Sequence, residues 1–220
     1  MSKFIKMISN ESSHIAMEQV SEIQNTFDIA TENINFFFND DNIEWKVDEW
    51  KTGKTKILIV LGLSGSGKST LGKKLAEEYN ATYFELDFFN QQLKKEHPEL
   101  ATMTDKKAKN IKELEYTLKA IGNKRAVLDG ASLARCGFDV LKKYSFIILG
   151  TSFLTSTYRA TTRAFKDTDR QKKFLKDPDS KLELAKSLIG SPYGRYKAND
   201  KVYPAYKELI SDYYKHVNGK

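Results

Sequence analysis

The chain has 220 residues and a mass of 25.2 kDa, room for one domain with an extension, and its net charge of +7 is uneven: residues 1–50 hold ten acids against three bases (−7), and the remainder 33 bases against 19 acids (+14). The basic body suits an anionic ligand, while the single Cys136 excludes an intramolecular disulfide and, with only the scattered His14, His97 and His216, argues against structural zinc. No apolar run approaches the roughly 18 residues of a membrane span, and MSKFIKMISNESSH lacks the apolar core of a secretory signal, so a cytoplasmic setting is expected.

Along the chain, Ile15, Val20, Ile23, Phe27, Ala30 and Ile34 recur near helical spacing behind Ser12 and Ser13, which predicts a helix over about 12–35. Ile43, Trp45 and Val47 alternate with Glu44, Lys46 and Asp48, the period of a half-buried or edge strand. Residues 1–52 thus form an acidic helix–strand extension ahead of a main domain over 53–220. From Lys56 the pattern becomes α/β. Residues 57–61 are continuously apolar, as in a strand covered on both faces. A helix over 70–79 follows, then strands over 82–86, 126–128 and 146–149, with helices near 105–122 and 133–143. Strands alternating with helices imply a parallel sheet with right-handed crossovers. After Gly150 the pattern is helical, near 152–175, 179–189 and 203–217, with Ser191-Pro192-Tyr193-Gly194-Arg195-Tyr196 reading as a turn. No strand is evident there, and the 43–48 strand is the candidate to extend the sheet instead.

The strongest signal is Gly62-Leu63-Ser64-Gly65-Ser66-Gly67-Lys68-Ser69, which fits G-x-x-x-x-G-K-[ST] at every fixed position, with a buried strand running in and a helix running out. Glycines let the backbone turn so that successive N–H groups face one anion, and the helix adds its positive end. Lys68 can reach the β- and γ-phosphates of a nucleoside triphosphate, the Ser69 hydroxyl can ligate Mg²⁺, and Thr70 falls near the α-phosphate.

Two apolar strands end in aspartate. In open α/β sheets ligands sit beyond the carboxyl ends of the strands. Asp87, after Thr82-Tyr83-Phe84-Glu85-Leu86, can orient an acceptor hydroxyl and take its proton; the plainer alternative is that it caps a helix starting at Phe88. Glu85, two residues earlier on the same face, is a weaker candidate because it sits deeper. Asp129, after Ala126-Val127-Leu128, has the form of a Walker B carboxylate holding Mg²⁺, or of an ordinary strand-to-turn aspartate. Arg135 is a remote candidate to meet an acceptor.

These residues carry a resemblance. GLSGSGKST resembles the phosphate loop of adenylylsulfate and gluconate kinases, and ATYFELDFF is similar to the gluconate- and shikimate-kinase segment ending in an aspartate on the second strand. The stretch from Phe153 through Arg159 to Arg163 resembles the start of the lid in nucleoside monophosphate kinases, whose arginines clamp the transferring phosphate. The resemblance spans about 56–170 and implies a three-layer P-loop NTPase fold, ATP and Mg²⁺ as cofactors, a lid near 152–176, and an acceptor- or metal-binding role for Asp87. On a helix Arg159, Arg163, Lys166 and Arg170 share a face about 60° wide, which favours phosphate contact or, balanced by Asp167 and Asp169, a solvated surface. The implied activity is Mg–ATP-dependent phosphoryl transfer to a hydroxyl or phosphate of a small acceptor such as a nucleotide, nucleoside or metabolite. The alternatives are a polynucleotide or modified-DNA kinase, which the basic body favours mildly, and a nucleotide-dependent switch or assembly protein that docks through the acidic segment.

Overall fold

The computed structural model describes residues 41–151, 153, 155–156, 158–160 and 181–219, with the backbone alone for 181–197. The expected helix over 12–35 lies outside these residues, as do Arg163, Lys166 and Arg170. The chain forms two compact units, residues 38–151 with 201–220, and residues 1–37 with 152–200.

The first unit is built on five strands: β1 (Ile43–Trp45), β2 (Ile57–Leu61), β3 (Thr82–Glu85), β4 (Ala126–Asp129) and β5 (Ser145–Ile148), ordered β1-β5-β2-β4-β3. β2 pairs in parallel with both β4 and β5, β3 is parallel to β4, and β1 is antiparallel to β5. Central β2 is apolar throughout because both its faces are covered: Leu58, Ile59, Val60 and Leu61 are all fully buried. On one face Leu58 and Val60 pack with Val127 and Ile147 against Val47 and Trp50 of α1 (Val47–Lys51) and Leu75 and Ala76 of α2 (Lys68–Glu78). The crossover from β3 to β4 carries α3 (Leu86–Glu96), α4 (Glu99–Thr102) and α5 (Lys106–Ile121), and a 3-10 turn (Ala131–Cys136) and α6 (Phe138–Leu141) lead to β5. The opposite face of β5 meets α6 and the last helix, α7 (Lys181–Asn218), where the Phe146 ring lies 6.3 Å from Phe138 and 6.5 Å from Tyr213. Helices on both faces of a mostly parallel sheet make the expected three-layer α/β fold.

Local chemistry sets the element ends. Asp105 caps α5 by accepting hydrogen bonds from the N–H groups of Lys107 and Ala108 at 2.8 and 3.1 Å. Asn110, Glu113, Leu114, Thr117 and Ile121 then recur at helical spacing along its buried face.

The 43–48 strand does extend the sheet. Ile43 and Trp45 pair with Ile148 and Phe146, and the Trp45 indole stacks on Phe146 at 6.3 Å while its Nε1–H donates to the Lys142 carbonyl at 3.1 Å. The strand is shorter than its alternation implied. Lys46 adopts φ 52°, and the chain turns there into α1, which buries Val47 and Trp50 instead of prolonging the pleat.

Three expected boundaries are corrected. The helix near 133–143 is a 3-10 turn and a short helix, separated where Gly137 takes φ 78°. The strand expected over 82–86 ends at Glu85, and Leu86 opens α3. The turn expected at 191–196 is absent: the backbone stays helical through Pro192 and Gly194, so the two helices of the C-terminal part are one. A proline removes only its own N–H and strains one turn. Downstream, Val202, Tyr206 and Leu209, buried at spacings of four and three, hold the helix by packing that breaker residues do not report. Among the described residues no helix is long and apolar enough to cross a membrane.

Candidate active site

The loop between β2 and α2 is held in the geometry its sequence demands. Gly65 and Gly67 have φ of 91° and 98°, which side chains rarely tolerate. Gly67 is the N-cap of α2, so no side chain caps this helix, and no acidic residue lies in its first turn. The positive end of this 11-residue helix thus carries no side-chain cap and suits an external anion. Lys68, the first helical residue, folds its ammonium back over the loop and donates to the Leu63 carbonyl at 3.1 Å. Leu63 and Ser66 are buried, and the Ser66 hydroxyl, itself inside, has no hydrogen-bond partner among the described residues. The Thr151 hydroxyl ties down the Ser66 carbonyl at 3.3 Å, whereas Ser64 is half-buried and Thr70 is exposed.

Two tyrosines that the sequence reading passed over organise this loop. Tyr206, fully buried on α7, accepts the Gly62 N–H at 2.6 Å, and burial pushes its phenol far above the ordinary range. Tyr83 on β3 donates to Asp129 Oδ2 at 2.7 Å; burial, then the bond to Asp129, raises its pKa strongly. No composition or spacing marks either residue. Tyr83 reads as the outward half of a strand alternation, and Tyr206 lies 144 residues from its partner.

The carboxylates gather at the carboxyl edge of the sheet. Asp129 is 2% exposed at the end of β4, and Glu85 is its register partner on β3, so both side chains stand on one face with Tyr83. Glu85 is thus better placed than its depth in the strand implied. Asp87 is exposed in the first turn of α3, whose N-cap is Glu85 and whose N-terminus has no side-chain cap bond, so Asp87 is not the helix cap. One turn further, Asn90 is buried and donates to Glu113 Oε2 at 3.2 Å. Burial raises the Glu113 pKa, with Lys94, Lys109 and Arg135 opposing and Asp87 adding to the rise. These charges define one neighbourhood of α3, α5 and the 3-10 turn. Arg135 also donates to the Lys201 carbonyl at 3.1 Å, which commits part of its guanidinium to tethering α7. Cys136 is inert as a nucleophile, because burial pushes its thiol up to about 12. Arg159 belongs to the second unit, where it is helical and exposed.

Among the described residues no three His, Cys, Asp or Glu side chains cluster as a metal site. A cation here would rely on the Ser69 hydroxyl, Asp129 and phosphate oxygens, an all-oxygen set that suits Mg²⁺.

A buried strand running through this loop into a helix with no side-chain cap defines a P-loop nucleotide-binding protein. The family model of shikimate kinase matches residues 64–202, from inside the loop to the buried Val202 of α7. The chain belongs to the shikimate kinase family and is an ATP-dependent kinase acting on a small substrate. The match continues beyond the 56–170 stretch of the resemblance, through the expected lid and into α7. No curated protein matches the chain.

Proposed function

We propose that the protein transfers the γ-phosphoryl group of ATP, with Mg²⁺, in line to a hydroxyl of a small acceptor, and that Asp87 orients this hydroxyl and takes its proton. The observation that carries the reading is the uncapped, acid-free start of α2 beside a carboxyl edge where Asp87 is exposed and engaged in no helix cap. The N–H groups of residues 63–69 hold the phosphates, Lys68 bridges the β- and γ-phosphates, and Thr70 lies by the α-phosphate. Ser69 and Asp129 hold the cation, with Glu85 alongside; when bound, Mg²⁺ offsets charge on the phosphate oxygens. Arg159 and Arg163 pair with the transferring phosphoryl group, where arginine forks match its oxygens. Asn90 and Glu113, which adjoin Asp87 on α3 and α5, offer hydrogen-bonding groups to an acceptor rich in hydroxyls.

The test is a transfer assay with γ-labelled ATP and a panel of shikimate, sugar acids, nucleosides, nucleoside monophosphates and DNA oligonucleotides. Label should move to one small acceptor and be lost with Lys68→Ala. Asp87→Asn should slow transfer by roughly 10²–10⁴-fold with ATP affinity unchanged. Transfer at the wild-type rate by Asp87→Asn would remove Asp87 from the chemistry.

A further inference from the structure

Beside a cation-holding residue of the proposed site stands a side chain that neither the motif nor the family match assigns. Tyr83 stands on β3 with its hydroxyl at Asp129, at the end of β4, and donates to Asp129 Oδ2 at 2.7 Å. We propose that Tyr83 is a positioning residue for the divalent cation: its hydroxyl fixes the Asp129 carboxylate in the orientation that receives the ion. The inference rests on the cation-binding role proposed above for Asp129.

Two independent features support it. First, the protein makes room for this ring. A Cβ on Gly72 would lie 2.9 Å from Tyr83 Cε2, a separation that real Cβ atoms essentially never show, so the absence of a side chain on α2 is what admits the aromatic ring. Second, the ring is clamped. Its edge rests near Val127, next to the Gly72 position, and the Lys73 ammonium stands over its face at 5.6 Å from the centroid. A phenylalanine would fill the same space, so packing alone does not account for the hydroxyl.

The consequence follows from the geometry of a carboxylate. An aspartate turns freely about its last torsion unless something holds its plane. A donor on Oδ2 fixes that plane and leaves Oδ1 uncommitted to Tyr83. Such outer partners of metal-binding groups commonly account for tenfold or more in metal affinity.

The experiment compares wild type, Tyr83→Phe and Asp129→Asn by Mn²⁺ titration of the ADP complex, with free Mn²⁺ read by electron paramagnetic resonance and ADP affinity measured separately in EDTA. Tyr83→Phe should weaken Mn²⁺ binding by about tenfold and leave the metal-free ADP affinity within twofold. Gly72→Ala keeps the hydroxyl but crowds the ring, and should weaken Mn²⁺ in the same direction. Unchanged Mn²⁺ affinity in Tyr83→Phe, with a large loss in Asp129→Asn, would overturn the positioning role and leave the cation site standing. Unchanged affinity in Asp129→Asn would overturn the site and this inference together. An equal fall of Mn²⁺ and metal-free ADP affinity in Tyr83→Phe would reduce Tyr83 to a support of the loop.

Discussion

Replacing Tyr206 with phenylalanine removes one oxygen atom and strands one backbone donor. The ring is fully buried, so its apolar contacts survive the change and no large cavity opens. What is lost is the 2.6 Å bond from the Gly62 N–H, at the point where β2 enters the phosphate loop. A buried donor left without a partner costs about 1–3 kcal/mol. For a chain of this size each kcal/mol lowers the melting temperature by about 2–4 °C. Taking the middle of the range, Tyr206→Phe should melt about 4–8 °C below wild type. Calorimetry measures the shift, and hydrogen exchange at the Gly62 amide localises it: exchange there should accelerate more than at the other β2 amides. A fall below about 1 °C, with Gly62 exchange unchanged, would mean that the tyrosine hydroxyl does not hold the loop.

Two further outcomes follow from buried polar groups. The Arg125 guanidinium lies over Trp50 at 4.5 Å and near Tyr79 at 5.4 Å, and donates to the carbonyls of Tyr79, Trp50 and Lys51; Arg125→Met should therefore cost about 3 kcal/mol in urea unfolding, through lost charge-assisted bonds and ring stacking. Because burial raises the Glu113 pKa above its unfolded value, the stability it contributes is full at low pH and is lost as pH rises through the folded-state value. Glu113→Gln should accordingly gain stability over wild type between pH 5 and pH 8, by about 1 kcal/mol per unit of the original shift, and a stability difference that does not vary with pH would show that the carboxylate is not strained by its surroundings.

Much of the architecture was legible because it depends on local patterns. A strand covered on both faces has to be apolar at consecutive positions, and residues 57–61 are. The loop that follows can be read from three glycines, which its positive-φ backbone requires, and from a lysine that suits phosphate. The 43–48 alternation marked an edge strand correctly, since Ile43 and Trp45 face the protein while Glu44 does not. What stayed hidden depends on partners distant in sequence. Tyr83 and Tyr206 act through single hydroxyls, and an alternating strand or an amphipathic helix would read the same with phenylalanine in either place. Arg125 carries no signal of its own in the sequence, because its role comes from two rings and three carbonyls contributed by α1 and the end of α2. The boundary at Leu86 was misplaced by one residue because an apolar residue suits both a strand end and a helix start. The 191–196 segment misled for another reason: proline and glycine report the cost of a helix at one turn, while packing that begins about two turns further on, at Val202, decides whether the helix continues.

β1 places the last sheet edge early in the chain. All five strands lie between Ile43 and Ile148, and the Asn42 side chain already accepts the Gly150 N–H at 3.1 Å. A ribosome that has released residue 150 has therefore supplied all five strands of the described sheet, the edge strand beside β5 included. The phosphate loop follows a different schedule: its Gly62 N–H waits for Tyr206, near the end of synthesis. The sheet can thus assemble on the growing chain well before the nucleotide site acquires its final support, so the order of translation separates the time of folding from the time of competence.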